Sequence, residues 1–199
     1  MDYSQFLIMR GEISLLLVFL LIFLFDTFGG KKSLKGLSIT ACVLFALHTV
    51  WNIIPVDSAT AFGGMYQTSP IASMVKTVLN IGTLIVLLQS ISWSDTPDVK
   101  LRRGEFYELL LVTLFGMYLM VSSGHFLLFF IGLETASLPM AALIAINKKD
   151  TESYEAGAKY LFTAVFSSAV FLLGLSFLYG VSGSLYFGDI AAVSYTHLT

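Results

Sequence analysis

The stretch FLLFFIGLETASLPMAALIAI, Phe126–Ile146, is 21 residues long and holds a single ionisable side chain, Glu134. About 20 apolar residues suffice for a helix to cross the hydrocarbon core of a bilayer. The segment therefore reads as a transmembrane span with a carboxyl group near its middle. Counted from His125, Glu134 lies nine residues in, roughly 13 Å at the rise of an α-helix. A charge at that depth costs about 2.5 kcal/mol or more. Desolvation favours the protonated carboxyl, and a cation or polar cavity favours the carboxylate. A group balanced in this way can take up and release protons. The alternative is a neutral glutamate hydrogen-bonded to a neighbouring helix as packing glue, with Thr135 and Ser137 helping to satisfy it. Pro139 removes the backbone bond to the carbonyl of Thr135, next to the acid. That loosening suits water entry, or is a plain kink.

The rest of the chain has the same character. Of its 199 residues, 56% are hydrophobic and 12% charged, and the mean hydropathy is +0.83. Soluble domains carry about 25% charged residues, so the composition is that of an integral membrane protein. Six apolar segments are expected to span: Ile13–Phe28, Leu37–Ile54, Val75–Trp93, Phe106–Ser122, Phe126–Ile146 and Tyr154–Tyr179. The fold class predicted is an all-α, polytopic membrane helical bundle with the lipid bilayer as its surroundings. The first and fourth spans are short and are expected to extend into their flanks. The N-terminus lacks a small-residue cleavage pattern before Asp26 and reads as a mature first span rather than a signal peptide.

Charge orders these spans. Lys31, Lys32 and Lys35 lie in the first loop, Lys100, Arg102 and Arg103 in the third, and Lys148 and Lys149 in the fifth. Loops two and four have no lysine or arginine. The positive-inside rule puts the basic loops in the cytoplasm and the N-terminus outside. Arg10 and Lys76 sit near the outer ends of helices, and Lys159 lies inside the sixth span.

Other polar residues at depth carry less. Lys159 can snorkel to the interface, and Glu155 with Lys159 forms an i,i+4 pair of favourable orientation. A direct salt bridge from Lys159 to Glu134 is not expected, because the glutamate sits deeper by about 10 Å. Glu105 and Glu108 begin the fourth span, where acids suit a helix N-terminus, and Asp26 reads as interfacial. His48, with Thr49 and Asn52 nearby, could relay protons, but a hydrogen-bonded structural histidine is the favoured reading. Gly174 and Ser176 are expected to serve close helix packing.

Several chemistries are excluded. The single cysteine, Cys42, allows no intrachain disulfide, CxxC site or iron–sulfur cluster. No P-loop, dinucleotide-binding glycine motif, HExxH or GxSxG elbow is present. The basic residues are loop signals rather than a nucleic-acid stripe, so no nucleic-acid partner is expected. Transport, or a structural role in a membrane complex, remains.

Three strings then carry a resemblance: GEFYELLLVTLFGMYLMVSS, LLFFIGLETASLP and SYEAGAKYLFTAVFSSAVFLLGLSFLYGVSGSL. Together they resemble the antiporter-like subunit N family of proton-pumping NADH:quinone oxidoreductase, respiratory complex I. The likeness is strongest from Glu105 to Leu185. It implies the N-terminal part of a fold of about fourteen helices built on two inverted repeats. Residues 1–104 would be the first three helices, and 105–188 the start of the first antiporter-like repeat. Residues 189–199, ending in SYTHLT, are expected to be a truncated or non-native end. Glu134 matches the family's glutamate of the fifth helix, which pairs with a lysine of the seventh. Lys159 and Glu105 match polar positions linked to proton transfer or coupling. The resemblance implies a proton-translocating membrane subunit of an enzyme complex, with no redox chemistry or cofactor in this chain. NADH, flavin, iron–sulfur clusters and quinone would be used by the whole complex, and the partners would be its other membrane subunits. The implied location is a bacterial inner membrane. A subunit of a multi-subunit Na⁺/H⁺ antiporter or membrane-bound hydrogenase, or a purely structural subunit, is the alternative.

Overall fold

The computed structural model describes residues 4–29, 34–93, 96 and 102–198. Lys31, Lys32 and Lys100 of the basic loops, and Asp2 and Thr199, lie outside the described residues. Six long apolar runs become six long helices. They are α2 (Arg10–Phe28), α3 (Leu34–Asn52), α4 (Pro70–Trp93), α5 (Arg103–Val121), α6 (Phe126–Ile144) and α7 (Thr151–Ser182). A short α1 (Ser4–Ile8) precedes them and α8 (Phe187–Leu198) follows. Five of the six long helices are long and apolar enough to cross a membrane, and α3 supplies a shorter apolar stretch, Gly36–Asn52. The all-α membrane bundle expected from the sequence is the fold observed. As expected, the first and fourth spans extend into their flanks.

The helices alternate in direction, as their contacts show. Asp26, near the end of α2, lies against Gly104 at the start of α5. At the opposite face Arg10 donates to the carbonyl of Ile54 beyond the end of α3. Ser153 on α7 closes the α6–α7 connection by donating to Ile144 O at 2.6 Å. The molecule thus has one face that gathers the described basic loop residues and one that gathers the chain reversals after α3 and α5.

The second loop is more ordered than a polar linker. It forms an antiparallel hairpin, β1 (Ala59–Ala61) and β2 (Tyr66–Thr68), with Ala59 opposite Thr68. Its turn includes Gly63 and Gly64 at φ 66° and 89°, angles that glycine adopts without steric cost. The hairpin is tied to the α5–α6 turn, where Gln67 N donates to Ser122 O at 2.7 Å and Gly124 N to Met65 O at 2.8 Å. The face of the bundle opposite the basic loops is therefore a hairpin face, stitched by main-chain bonds.

The core lies among α2, α3, α4 and α5, where Leu15, Ile22, Phe45, Leu87, Leu111 and Leu114 are buried. In α7 the opposite holds: Phe162, Phe166 and Phe177 are all exposed. Close packing falls at a different place from that expected. A Cβ on Gly174 would meet nothing within 4 Å, so Gly174 faces open space rather than a neighbouring helix. The helices that do approach closely are α5 and α6. A Cβ on Gly116 would lie 2.6 Å from Gly132 O, and one on Gly132 would lie 2.8 Å from Gly116 O. Only hydrogen atoms in place of side chains let those backbones meet.

Candidate functional site

The α5–α6 contact fixes α6, and α6 carries Glu134. From Phe126, the first residue of α6, Glu134 is eight residues in, about 12 Å along the axis of a helix some 28 Å long. The carboxyl is therefore at mid-span. It is half-buried and turned to α7, where Ser168 Oγ donates to Glu134 Oε1. Ser168 itself is buried. Glu134 has no ion pair among the described residues.

The local hydroxyls act differently from expectation. Thr135 Oγ1 donates to Ile131 O at 2.7 Å, and Ser137 Oγ to the Glu134 main-chain carbonyl at 3.4 Å. Each returns to its own helix instead of reaching the carboxyl, as hydroxyls in helices commonly do. Pro139 sits inside α6, and the helix continues past it to Ile144. Pro139 has no N–H to offer the Thr135 carbonyl, one residue from the acid.

Lys159 and Glu105 stand elsewhere. Lys159 is exposed and pairs at 2.5 Å with Glu155, one turn earlier on α7. Ser168, the partner of Glu134, lies nine residues further along the same helix, roughly 13 Å away. The two charges are thus separate, as the depth argument expects. Glu105 lies 3.7 Å from Arg102, with Asp26 and Glu108 near enough to act on one another electrostatically. The structure brings Asp26, Glu105 and Glu108 together but does not join them to Glu134 or Lys159. No cluster of three or more His, Cys, Asp or Glu placed to hold a metal ion occurs among the described residues.

Two features are absent from the sequence-based expectations. Ser168 is one: buried hydroxyls in an apolar helix mark contact with something polar, a signal visible in the sequence without a partner to name. The other is an ion pair between Glu12 and Lys76, 2.5 Å apart. Lys76 lies near the start of α4, on the hairpin side, but its side chain points inward and is buried.

The NADH:quinone oxidoreductase/Mrp antiporter transmembrane family matches residues 123–198, the part of the chain that holds α6, Glu134 and Ser168. NADH-quinone oxidoreductase subunit N of Phocaeicola vulgatus is 48% identical over 192 residues, covering 96% of this chain and 40% of that protein. The chain is a homologue of NADH-quinone oxidoreductase subunit N. The protein of the same name from Azobacteroides pseudotrichonymphae is 42% identical, with the same shares covered. The chain thus spans about two-fifths of the length of these subunit N relatives. In solved structures, a chain of respiratory complex I from Thermus thermophilus has the same fold over 90% of this chain and 38% of that one, with TM-score 0.70 and 24% identity. A chain of an archaeal membrane-bound sulfane sulfur reductase is similar over 94% of this chain and 39% of that one, with TM-score 0.67 and 20% identity. Both are likenesses of fold.

Proposed function

We propose that this chain is part of a membrane subunit of NADH:quinone oxidoreductase that translocates protons, with Glu134 as a proton-carrying group. The observation that carries the reading is the mid-span carboxyl of α6, held by one hydroxyl and by no cation among the described residues, in a homologue of subunit N. A carboxyl with a single neutral hydrogen-bond partner can hold a proton or a charge as its surroundings change. A cation approaching from helices beyond this chain would draw the proton off, and its withdrawal would return it. Ser168 keeps the carboxyl aimed at α7 in either state, since a hydroxyl both donates and accepts.

Lys159 and Glu105 fit supporting roles as charges toward the basic-loop face. That face is assigned to the cytoplasm of a bacterial inner membrane and the N-terminus to the outside, on the positive-inside rule. The partners proposed are other membrane subunits of the complex. NADH, flavin, iron–sulfur clusters and quinone are assigned to the complex as a whole, with no cofactor in this chain. The names of the curated relatives favour this reading over a Na⁺/H⁺ antiporter or hydrogenase subunit. The test is Glu134→Ala in a full-length subunit assembled in its complex. Proton pumping is expected to fall sharply with the complex still assembled; an unchanged ratio of protons to electrons would refute the role.

A further inference from the structure

The Glu12–Lys76 pair sits in a polar cluster that the proton path through Glu134 does not use. Five elements contribute to it. Glu12 comes from α2, His48 and Asn52 from α3, Tyr66 from β2, Lys76 and Asn80 from α4, and Tyr118 from α5. Lys76 Nζ donates to Glu12 Oε1 at 2.5 Å, and Tyr66 Oη donates to Glu12 Oε2 at 2.8 Å. Glu12 is 1% exposed and Lys76 6%. Nζ also donates to Tyr66 Oη at 3.3 Å and lies 5.1 Å from the ring centre of Tyr118.

A second arm runs deeper. Tyr118 Oη donates to Asn80 Oδ1 at 2.6 Å, which leaves it to accept from His48 Nε2 at 3.2 Å. His48 Nδ1 then accepts, with Asn52 Nδ2 at 3.2 Å and Ser14 Oγ at 3.0 Å within reach. Beyond that arm lie Leu15, Val18, Phe45 and Leu114, all apolar and buried. On the other side, a crevice of about 10 Å³, lined by Arg10, Glu12, Asn52, Tyr66 and Lys76 among others, has about the room one water needs. The cluster is therefore open toward the hairpin face and closed toward the membrane centre.

We propose that this cluster is a one-sided proton-binding site, in which Glu12 takes a proton from water at the hairpin face. The proton passes from a hydronium ion in the crevice to a Glu12 oxygen, leaving water behind, and no other bond changes. The cluster then carries one net positive charge, on Lys76. That charge is accommodated in place, because the Tyr66 hydroxyl accepts from the ammonium and the ring of Tyr118 attracts a cation. A brace with no other task would need the carboxylate and the ammonium but not a phenol bonded to both and a second aromatic ring beside the ammonium. Tyr66 remains an O–H donor, because burial and the adjacent Glu12 push its phenol above its ordinary value. The charged and titratable groups facing Glu12 are Lys76, Tyr66, Tyr118, His48 and the Arg10 at the crevice. Protonation weakens the link between α2 and α4 and so loosens the anchorage of the hairpin, making the hairpin face responsive to its own pH. The binding site is independent of the role proposed for Glu134; its use during transport rests on that role.

The test is infrared difference spectroscopy of the chain in lipid nanodiscs, recorded as the pH is lowered. A carboxylic C=O band that is lost in Glu12→Gln is expected. Its midpoint is expected to move to higher pH by about one unit or more in Lys76→Gln, where the cation stabilising the carboxylate is gone. If Lys76→Gln does not fold, Tyr118→Leu serves instead. It keeps the ion pair but removes an aromatic face, and the midpoint should fall as the lone ammonium becomes less welcome. No Glu12 band at any pH at which the bundle keeps its helix content would overturn the proposal and leave a static brace. A midpoint unmoved by either variant would do the same. Failure of the Glu134 role would show instead as undiminished pumping in Glu134→Ala, with the Glu12 band unaffected.

Discussion

Two lysine–glutamate pairs in this chain have the same separation and opposite surroundings. Glu12–Lys76 and Glu155–Lys159 are each 2.5 Å apart. The side chains of the first pair are 1% and 8% exposed, and those of the second 65% and 73%. Distance alone would rank them equal, yet the buried pair has removed two charges from solvent and the exposed pair has not. The buried pair must be matched by further partners, and it is: the Tyr66 phenol bonds both the carboxylate and the ammonium, and the Tyr118 ring lies beside the ammonium. Such a pair contributes little net stability against a hydrophobic substitute but is costly to break by halves. The exposed pair can form or part with little consequence.

The largest effect expected therefore comes from halving the buried pair. Lys76→Met leaves Glu12 desolvated without its cation, and breaking a buried pair this way costs about 3–5 kcal/mol. Thermal unfolding in detergent, followed by helix content, should show that loss. Amide exchange should show the hairpin losing protection first, because Tyr66 bonds to Glu12. A loss no larger than that of Glu155→Gln would dissolve the distinction between the two pairs.

Next in size is a test of where the bundle is tight. A Cβ at Gly116 would press on the α6 main chain, 2.6 Å from Gly132 O, and overpacking of that kind costs about 1–3 kcal/mol. Gly116→Ala should lower the unfolding midpoint and disturb the placement of Glu134 on α6. Gly174→Ala, facing open space, should leave the midpoint unchanged or raise it, since alanine has the higher helix propensity. Equal effects of the two would show that α7 packs as closely as α5 and α6.

How much of the molecule was legible in its sequence depends on how each signal is encoded. Spans were legible because about 20 consecutive apolar residues are a local property, and the observed helices fall on all six expected segments. Glu134 was legible for the same reason: one acid against an apolar background needs no partner to be noticed. Ion pairing was legible on a single helix, where i,i+4 spacing determines contact, and Glu155–Lys159 is observed as expected. The Glu12–Lys76 pair was not, because 64 residues separate its members and nothing local tells an inward lysine from a snorkelling one. The hairpin was hidden for a related reason. Its strands are three residues each, too short for alternation to register, and they are held by bonds to the α5–α6 turn. Gly174 misled because a small residue is a condition for close packing and not a sign of it.

A smaller effect is expected at the partner of Glu134. Ser168→Ala removes the hydroxyl bonded to the carboxyl, and a hydrogen bond of this kind contributes about 1 kcal/mol net. Stability should change by that amount. Activity should change more in a full-length subunit, because the carboxyl loses the group that aims it. Ser168→Thr, which restores a hydroxyl, should recover pumping where alanine does not. Recovery by alanine as well would place the aim of Glu134 in the helix backbone alone.

The smallest effect belongs to the exposed pair, and it is the sharpest check on the comparison. An exposed i,i+4 pair is worth about 0.3–0.5 kcal/mol, and salt screens it over a Debye length of about 8 Å at physiological ionic strength. A double-mutant cycle of Glu155→Gln and Lys159→Gln should return a coupling of that size, fading as salt is added. The cycle at Glu12 and Lys76 should return a coupling several times larger that salt barely moves. Should Lys159→Gln nevertheless reduce pumping in a full-length subunit, stability could not account for it. Lys159 would then act through its charge toward a group beyond this chain, because Glu134 is bonded to Ser168, about two and a half turns further along α7.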